Sequence, residues 1–359
     1  MPILLIDQLH HLKSCREQWN DVAGNKPFQS WEWCFNWIRQ IDFSSQPFVL
    51  VETDENGQWK SIAPMARCKT KFGENKIYVM GSGKICTDYT GLITNDVNSF
   101  SKKIANWLAE RNENDSENRI EIIEFEGVES QSEQFVAIRK ALQNAGFVLH
   151  DMPLESCWKI TLPGSWDELN QSFSKKHRRK TKKAIQRLAD TDVQIRSALQ
   201  NDFESTWDSF VDLHQQRRNN VGDSGCFVNS DFSRFLKSSV TKLANRGLAN
   251  IFQIELRGKP IASTLFFHDR KNLLMYQTGF DPNVSTLEPG YLLIVATLKF
   301  AIENNFETFD FLRGDEPYKA RWSSKQIPLS KMRFVDSSTF GSCIRDTIWT
   351  GNRKFRSSA

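Results

Sequence analysis

Two periods take turns along this chain. In some runs apolar residues fall at every second position, and in others they recur every three or four. The first marks half-buried strands and the second helices packed on one face. In the first half, runs at 48–52 and 59–68 flank Glu55-Asn56-Gly57, a sequence that predicts a hairpin turn. A strand follows at 76–80, then a glycine-bearing polar loop at 81–91, a helix at 98–111 and an apolar strand with interspersed acids at 120–125. A helix over 131–145 ends at Gly146, a residue suited to a left-handed C-cap. Ahead of these, 7–22 puts Leu9, Leu12, Cys15 and Trp19 on one helical face. The stretch 28–41 holds three Trp and two Phe, which predicts a core helix rather than a ligand box.

The same order returns about 200 residues later. A strand at 249–256 turns at Arg257-Gly258-Lys259, strands at 261–268 and 273–280 follow, and a loop at 281–289 leads to a helix at 292–304. That helix carries Leu292, Val295, Leu298 and Ile302 at helical spacing, and a strand opens at Phe309. The fold expected is therefore α/β (α+β): a tandem repeat of one unit, each a mixed, mainly antiparallel sheet flanked by helices. The dividing line falls near residue 155, giving units 1–155 and 156–359. Between them stand a strand at 158–162, a helix beginning in 165–173, a basic helix at 174–188, a helix at 202–218, a loop at 222–227 and a helix at 230–246 capped by Ser230 or Asn229. A last strand at 327–335 and a C-terminal helix at 340–354 complete the second unit.

The densest chemistry lies at the end of the strand that opens at Phe309. FDFLRGDEPYKARW places Asp315, Glu316, Tyr318, Lys319, Arg313 and Arg321 within nine residues, and Pro317 stops both strand and helix. A solvated turn closed by its own ion pairs would have the same composition. Upstream, Pro289-Gly290 starts a helix whose unpaired N–H groups and dipole suit an anion such as a phosphate.

These residues carry a resemblance. LEPGYLL at 287–293 followed by FDFLRGDEPYKARW resembles the C-terminal half of the cellulose and capsule biosynthesis (CelD/BcsL) type of acetyltransferase, a branch of the GNAT superfamily related to FemAB-like transferases. It covers 158–335 closely and the first half loosely. It implies tandem GNAT-like units, with an acyltransferase unit at 156–359 and a first unit that serves the acceptor or the packing. It also implies acetyl-CoA or another acyl-CoA as donor, no metal, and an amine acceptor such as an amino sugar or a cell-envelope precursor. The coenzyme-binding candidates are Gln277, Pro289, Gly290, Tyr291 and Leu292.

Net charge is +4, near neutral, and commits to no partner. The segment 174–188 holds eight Lys or Arg and no acid, so without it the remaining chain would stand at −4. A solvated helix face would read the same way. So would a strip that attracts the phosphates of a coenzyme or nucleotide-linked acceptor, or one that meets tRNA or a membrane surface. Interleaved aromatics for base stacking are absent, which argues against a specific single-strand nucleic-acid partner. Seven scattered Cys without a CxxC pair, an N-terminus lacking a basic leader and the lack of any apolar run of about 20 residues predict a cytoplasmic protein without a transmembrane segment. The six His show no metal-ligand spacing, and neither GxGxxG nor GxxxxGK[ST] nor GxSxG is present.

Attack of an amine on a thioester requires the amine to lose a proton. Asp315 or Glu316 is the candidate base, and Tyr318 the candidate donor to the departing thiolate. Lys319 or Arg313, Arg178 in the basic helix, and Arg217 or Arg218 at the end of its neighbour are candidates for holding an anionic part of the substrate. Asp88 and Tyr89 are candidates on the acceptor side. A FemAB-like, aminoacyl-tRNA-dependent transferase and a non-catalytic component of a polysaccharide assembly system remain alternatives. The former calls for a helical hairpin arm, for which 165–190 is short.

Overall fold

The computed structural model describes residues 2–83, 85, 87–197 and 203–337. The helix expected at 340–354 and the first residue of that expected at 202–218 lie outside this range. The chain forms two compact units: one holds residues up to Leu154 together with the segment from Pro328 on, the other Glu155–Ile327 with Asn25–Pro27.

The first unit runs β1 (Ile3–Ile6), α1 (Leu9–Ser14), α2 (Arg16–Ala23), α3 (Trp31–Gln40), β2 (Gln46–Thr53), β3 (Trp59–Lys69), β4 (Asn75–Val79), α4 (Val97–Asn114), β5 (Ile122–Glu129), α5 (Glu133–Asn144) and β6 (Phe147–Pro153). The second runs β7 (Cys157–Thr161), α6 (Trp166–Gln171), α7 (Lys175–Leu188), β8 (Val193–Ser197), α8 (Phe203–Asn220), α9 (Ser230–Ala244), β9 (Ala249–Leu256), β10 (Lys259–His268), β11 (Asn272–Phe280), α10 (Pro289–Glu303), β12 (Thr308–Arg313) and β13 (Lys325–Ile327). The last strand is β14 (Leu329–Asp336).

The repeat expected from element order is present as two seven-stranded sheets, β1-β2-β3-β4-β5-β14-β6 and β8-β9-β10-β11-β12-β7-β13. Neighbours are antiparallel except β4 with β5 and β11 with β12. The hairpins at Gly57 and Gly258 occupy matching places: β2 pairs β3, and β9 pairs β10. In the second turn Arg257 and Gly258 both have positive φ, 51° and 75°, as a tight hairpin of the right twist requires.

One feature departs from the sequential division. β14 was expected in the second unit, but it inserts between β5 and β6, while β7 inserts between β12 and β13. Pro328 separates β13 from β14, and Pro has no N–H to continue the ladder. The helix expected at 7–22 is broken at Cys15 into α1 and α2. The aromatic segment 28–41 is core: Trp33 and Trp37 are buried in α3, and Ser30 caps it by accepting the Trp33 N–H. In the second unit α10 is apolar on nearly every face and buried from Leu292 through Leu298 under the sheet, as an all-round hydrophobic helix must be.

Candidate active site in the second unit

β11 and β12 share only three register pairs, Asn272–Thr308, Leu273–Phe309 and Leu274–Asp310. β11 runs six residues past the last pair, to Phe280, while β12 ends at Arg313. Two parallel strands that pair at one end and part at the other leave a cleft. On the other edge of β11 the ladder with β10 skips Tyr276: Leu265 opposes Gln277 and Phe266 opposes Met275. This bulge resets the alternation of side chains. Met275, Thr278 and Phe280 then line the cleft, while Gln277 turns to α8 and its Oε1 lies 3.2 Å from His214 Nε2. Gly279 faces α8 so closely that a Cβ there would stand 2.3 Å from the His214 backbone nitrogen.

A cavity of about 240 Å³ fills the cleft. Its other walls are His177 and Lys180 of α7, Arg217 of α8, Gly290, Tyr291 and Ile294 of α10, and Tyr318, Arg321 and Trp322 beyond β12. Each element has a local reason to present these groups. Ser174 caps α7 by accepting the His177 N–H. α10 starts at Glu288, which adopts a left-handed conformation (φ 52°, ψ 56°) and gives no side-chain cap. The Glu288 carbonyl accepts the N–H groups of both Tyr291 and Leu292, and Pro289 has none to offer. Of the four expected phosphate-cradle residues, Gly290 is the one with an amide left for a ligand.

The polar loop after β12 is tied by a single ammonium. Lys319, nearly inaccessible, donates to the carbonyls of Leu312, Arg313 and Gly314 at 3.0–3.1 Å and pairs with Glu316 at 2.9 Å. With these partners its donors are spent, so it shapes the loop rather than meeting an acceptor. The turn it secures contains Leu312 at φ 58° and Gly314 at φ 126°. A Cβ on Gly314 would collide with the Glu316 carboxylate at 2.4 Å. The short 3₁₀ turn Lys319–Trp322 then carries Arg321 and Trp322 to the cavity.

Other expected residues are distributed differently. The exposed Asp315 accepts from Trp158 Nε1 at 3.1 Å and the Ser156 N–H at 3.4 Å, facing β7 instead of the cavity. Arg178 bonds the carbonyls of Phe173 (2.9 Å) and Gln171 (3.3 Å), closing the turn between α6 and α7. Arg218 pairs with Asp223 at 3.2 Å. Leu292 is buried in the core, and Arg313 is half-buried at the end of β12. Asp88 is buried in the first unit, where the Tyr89 carbonyl accepts from Gln29 at 3.5 Å. Tyr318, Gly290, Tyr291 and Arg217 are the expected residues that the fold gathers around one cavity.

Sequence reasoning missed His177 and Trp322. Their rings meet edge-on at 4.7 Å, and His177 Nε2 lies 3.4 Å from the Tyr291 hydroxyl. A signal was present: the apolar edge of α7 at Ala184 and Leu188, followed backwards at helical spacing, runs through Thr181 to His177.

Burial sets the electrostatics. It pushes the Tyr318 phenol up to about 12, with Glu316 adding to the effect and Arg217 and Arg218 opposing it. Desolvation, then Lys180 and Arg321, hold His177 below the usual imidazole value. Tyr291 is likewise raised, first by burial and then by Glu288. Beside the cavity, α7 and the start of α10 enclose a second space of about 590 Å³, lined by Lys176, Arg179, Lys180, Lys183, Arg187 and Glu288 among others. Glu288 pairs there with Lys180 at 2.5 Å and approaches Arg187 at 3.9 Å. Among the described residues no group of three His, Cys, Asp or Glu could hold a metal ion, and no helix is long and apolar enough to cross a membrane.

Comparison with known proteins bears on this arrangement. Residues 175–320 match the family model described as Acetyltransferase (GNAT) domain. No curated protein matches the chain. Among solved structures, FemX is similar at a TM-score of 0.63 and 11% identity, covering 92% of this chain and 97% of that one. L-PGS from Bacillus licheniformis is similar at 0.53 and 9%, covering 92% and 93%. A tandem GNAT protein from the clavulanic acid biosynthesis pathway gives 0.50 and 11%, covering 94% and 99%. At such identities the likeness is one of fold, and the residues 175–320 that match the acetyltransferase (GNAT) domain model include most of those that line the cavity.

Proposed function

We propose that the second unit moves an acyl group, acetyl in the simplest case, from a coenzyme A thioester to an amine on an amino sugar or other cell-envelope or exopolysaccharide precursor. The observation that carries this reading is the meeting of three features: the cleft between β11 and β12, the uncapped start of α10, and the cationic groove of α7. The thioester lies in the cleft. Its diphosphate rests near the Gly290 amide and the ammonium of Lys180, where a helix start and a cation both favour an anion.

The amine nitrogen forms a bond to the thioester carbonyl carbon, the carbon–sulfur bond breaks, and one proton moves from nitrogen to a base while the sulfur gains another. Tyr318 is the proton donor in this scheme: it lines the cavity and its raised pKa keeps the proton on until a thiolate forms. His177 takes the amine proton. It lines the same cavity and is neutral at pH 7, so it can accept. Glu316, near Tyr318 and Arg217, is the second candidate base, and Asp315 is the less suited of the two acids.

A thermal-shift panel of acetyl-, longer acyl- and free coenzyme A tests the reading. A ligand at a hundredfold its Kd adds about 2.7 kcal/mol to the folded state. A rise in melting temperature with one of the thioesters supports the assignment, and a flat panel sinks it.

The groove along α7 also favours a second reading, transfer from an aminoacyl-tRNA. Its lysines and arginines suit a phosphate backbone, and the FemAB-like branch of the resemblance implies such a donor. Tight tRNA binding that weakens steeply between 50 and 200 mM salt, with a flat thioester panel, would select it.

A further inference from the structure

The cavity has a charge imbalance that thioester binding does not use. Its twelve lining residues include His177, Lys180, Arg217 and Arg321 and no acid. Lys180 is matched by Glu288 and belongs to the α7 side. Arg217 enters from α8. Its Nη1 donates to the Thr278 carbonyl at 3.2 Å and to the Thr278 hydroxyl, and its guanidinium lies 5.2 Å from the centre of the Phe280 ring. Glu316 is the carboxylate near it, but that group pairs with Lys319 at 2.9 Å, and among the described residues no acid forms an ion pair with Arg217. A largely buried guanidinium normally has an acid as partner, because desolvating the charge is costly. Here Thr278 holds Nη1, which leaves the other edge of the fork for a ligand in a cavity whose apolar lining includes Met275, Phe280, Ile294 and Trp322.

We infer that this edge of Arg217 is a carboxylate clamp and that the acceptor is an amine bearing a carboxylate beside an apolar body, of the amino-acid type. The inference rests on the acyltransfer reading and narrows its acceptor. Planar guanidinium and planar carboxylate match in a two-bond fork. Thr278 holds the fork still, so little freedom is lost on binding. The apolar wall would bury the ligand's body, and the uncharged Tyr318 lines the same cavity. A phosphate could meet the same guanidinium, but the groove of α7 gathers Lys176, Arg179, Lys180, Lys183 and Arg187, so phosphate is expected there first.

The test needs no turnover. N-acetyl-leucine, N-acetyl-leucinamide and inorganic phosphate are titrated into the coenzyme-free protein, with the fluorescence change of the Trp322 site and the melting temperature as readouts. The carboxylate is expected to bind at least about tenfold tighter than the amide, since a charge-assisted bond contributes on that scale. Arg217→Gln should erase the difference and Arg217→Lys should restore part of it, with thioester-induced thermal shifts retained in both. Equal affinity for acid and amide in the unaltered protein would overturn the clamp without any variant having to fold. So would a preference that survives Arg217→Gln, or phosphate displacing the carboxylate. If the acid is preferred but no thioester raises the melting temperature, the clamp stands and the acyl-coenzyme A reading falls.

Discussion

The two sheets solve the same backbone problem and end with different surfaces. Each centres on a parallel pair of three register partners, and each puts a carboxylate in the third: Glu124 opposite Tyr78 and Asp310 opposite Leu274. Each carboxylate faces a base on its antiparallel neighbour strand, Arg333 on β14 and Lys159 on β7. In the first unit Glu124 gathers Arg333 at 2.7 Å, Lys76 at 3.4 Å and Lys331 at 3.6 Å, and Asp96 caps α4 with its own side chain. In the second, Asp310 is fully buried, accepts the Leu312 N–H at 2.8 Å and stands 3.7 Å from Lys159, while α10 begins without a side-chain cap. A shared fold does not make two sites. The difference lies in the helix starts and the central acids: the first unit caps α4 and surrounds Glu124 with three cations, while the second leaves α10 without a side-chain cap.

The sharpest way to break this comparison is at the paired acids. Asp310→Ala removes a buried carboxylate that both faces Lys159 and holds the Leu312 amide, so about 3–5 kcal/mol should be lost. Glu124→Ala leaves cations that Glu126 and solvent can partly satisfy, so about 1–3 kcal/mol is expected. Equal losses in urea unfolding would mean that the two acids do the same job.

The tyrosines come next. Tyr318→Phe should lower kcat by about 10²–10⁴-fold if its hydroxyl protonates the leaving group, whereas Tyr78→Phe, which loses bonds to Asp42 and Ser45, should leave the rate alone. In the same assay the rate should fall as pH drops below the ordinary imidazole range, because protonated His177 cannot accept a proton, and His177→Gln should abolish that limb. A rate indifferent to both substitutions would move the chemistry elsewhere.

His214 sharpens the comparison through stability. Burial holds its pKa at about 4 in the folded protein, against about 6.5 unfolded. The unfolded chain therefore binds the extra proton first as pH falls, and about 3 kcal/mol should drain away between pH 6.5 and 4, fully present above that window. Melting temperatures of His214→Gln across this range should show a shallower decline. The smallest effects lie at the helix starts. Asp96→Ala should cost about 1 kcal/mol of stability. Glu288→Gln should instead tighten thioester binding about two- to fivefold, by releasing Lys180 and Arg187 for phosphate. Weaker binding in that variant would place the diphosphate away from α10.

Local signals were the legible ones. The two hairpin glycines, the Pro-Gly helix start and the aromatic core helix follow from turn chemistry and periodicity within a few residues. So did Tyr318 and Arg217, both at ends of clear elements. What the sequence hid depends on partners far along the chain. The bulge at Tyr276 arises from the register with β10 and turns Gln277 away from the cavity. The fate of Lys319 depends on a backbone reversal at Leu312–Gly314 that brings three carbonyls to one ammonium. Asp315 looks catalytic in a linear reading because its tether, the Trp158 indole, is 157 residues earlier.

The inserted strands also order events in time. During synthesis the second sheet has all its pieces once Ile327 has been made, whereas the first must wait, with β5 and β6 unbridged, until Asp336 emerges. A gene cut after Leu154 would encode a sheet with a missing rung, so an independent first half has to be built with 328–336 spliced back in.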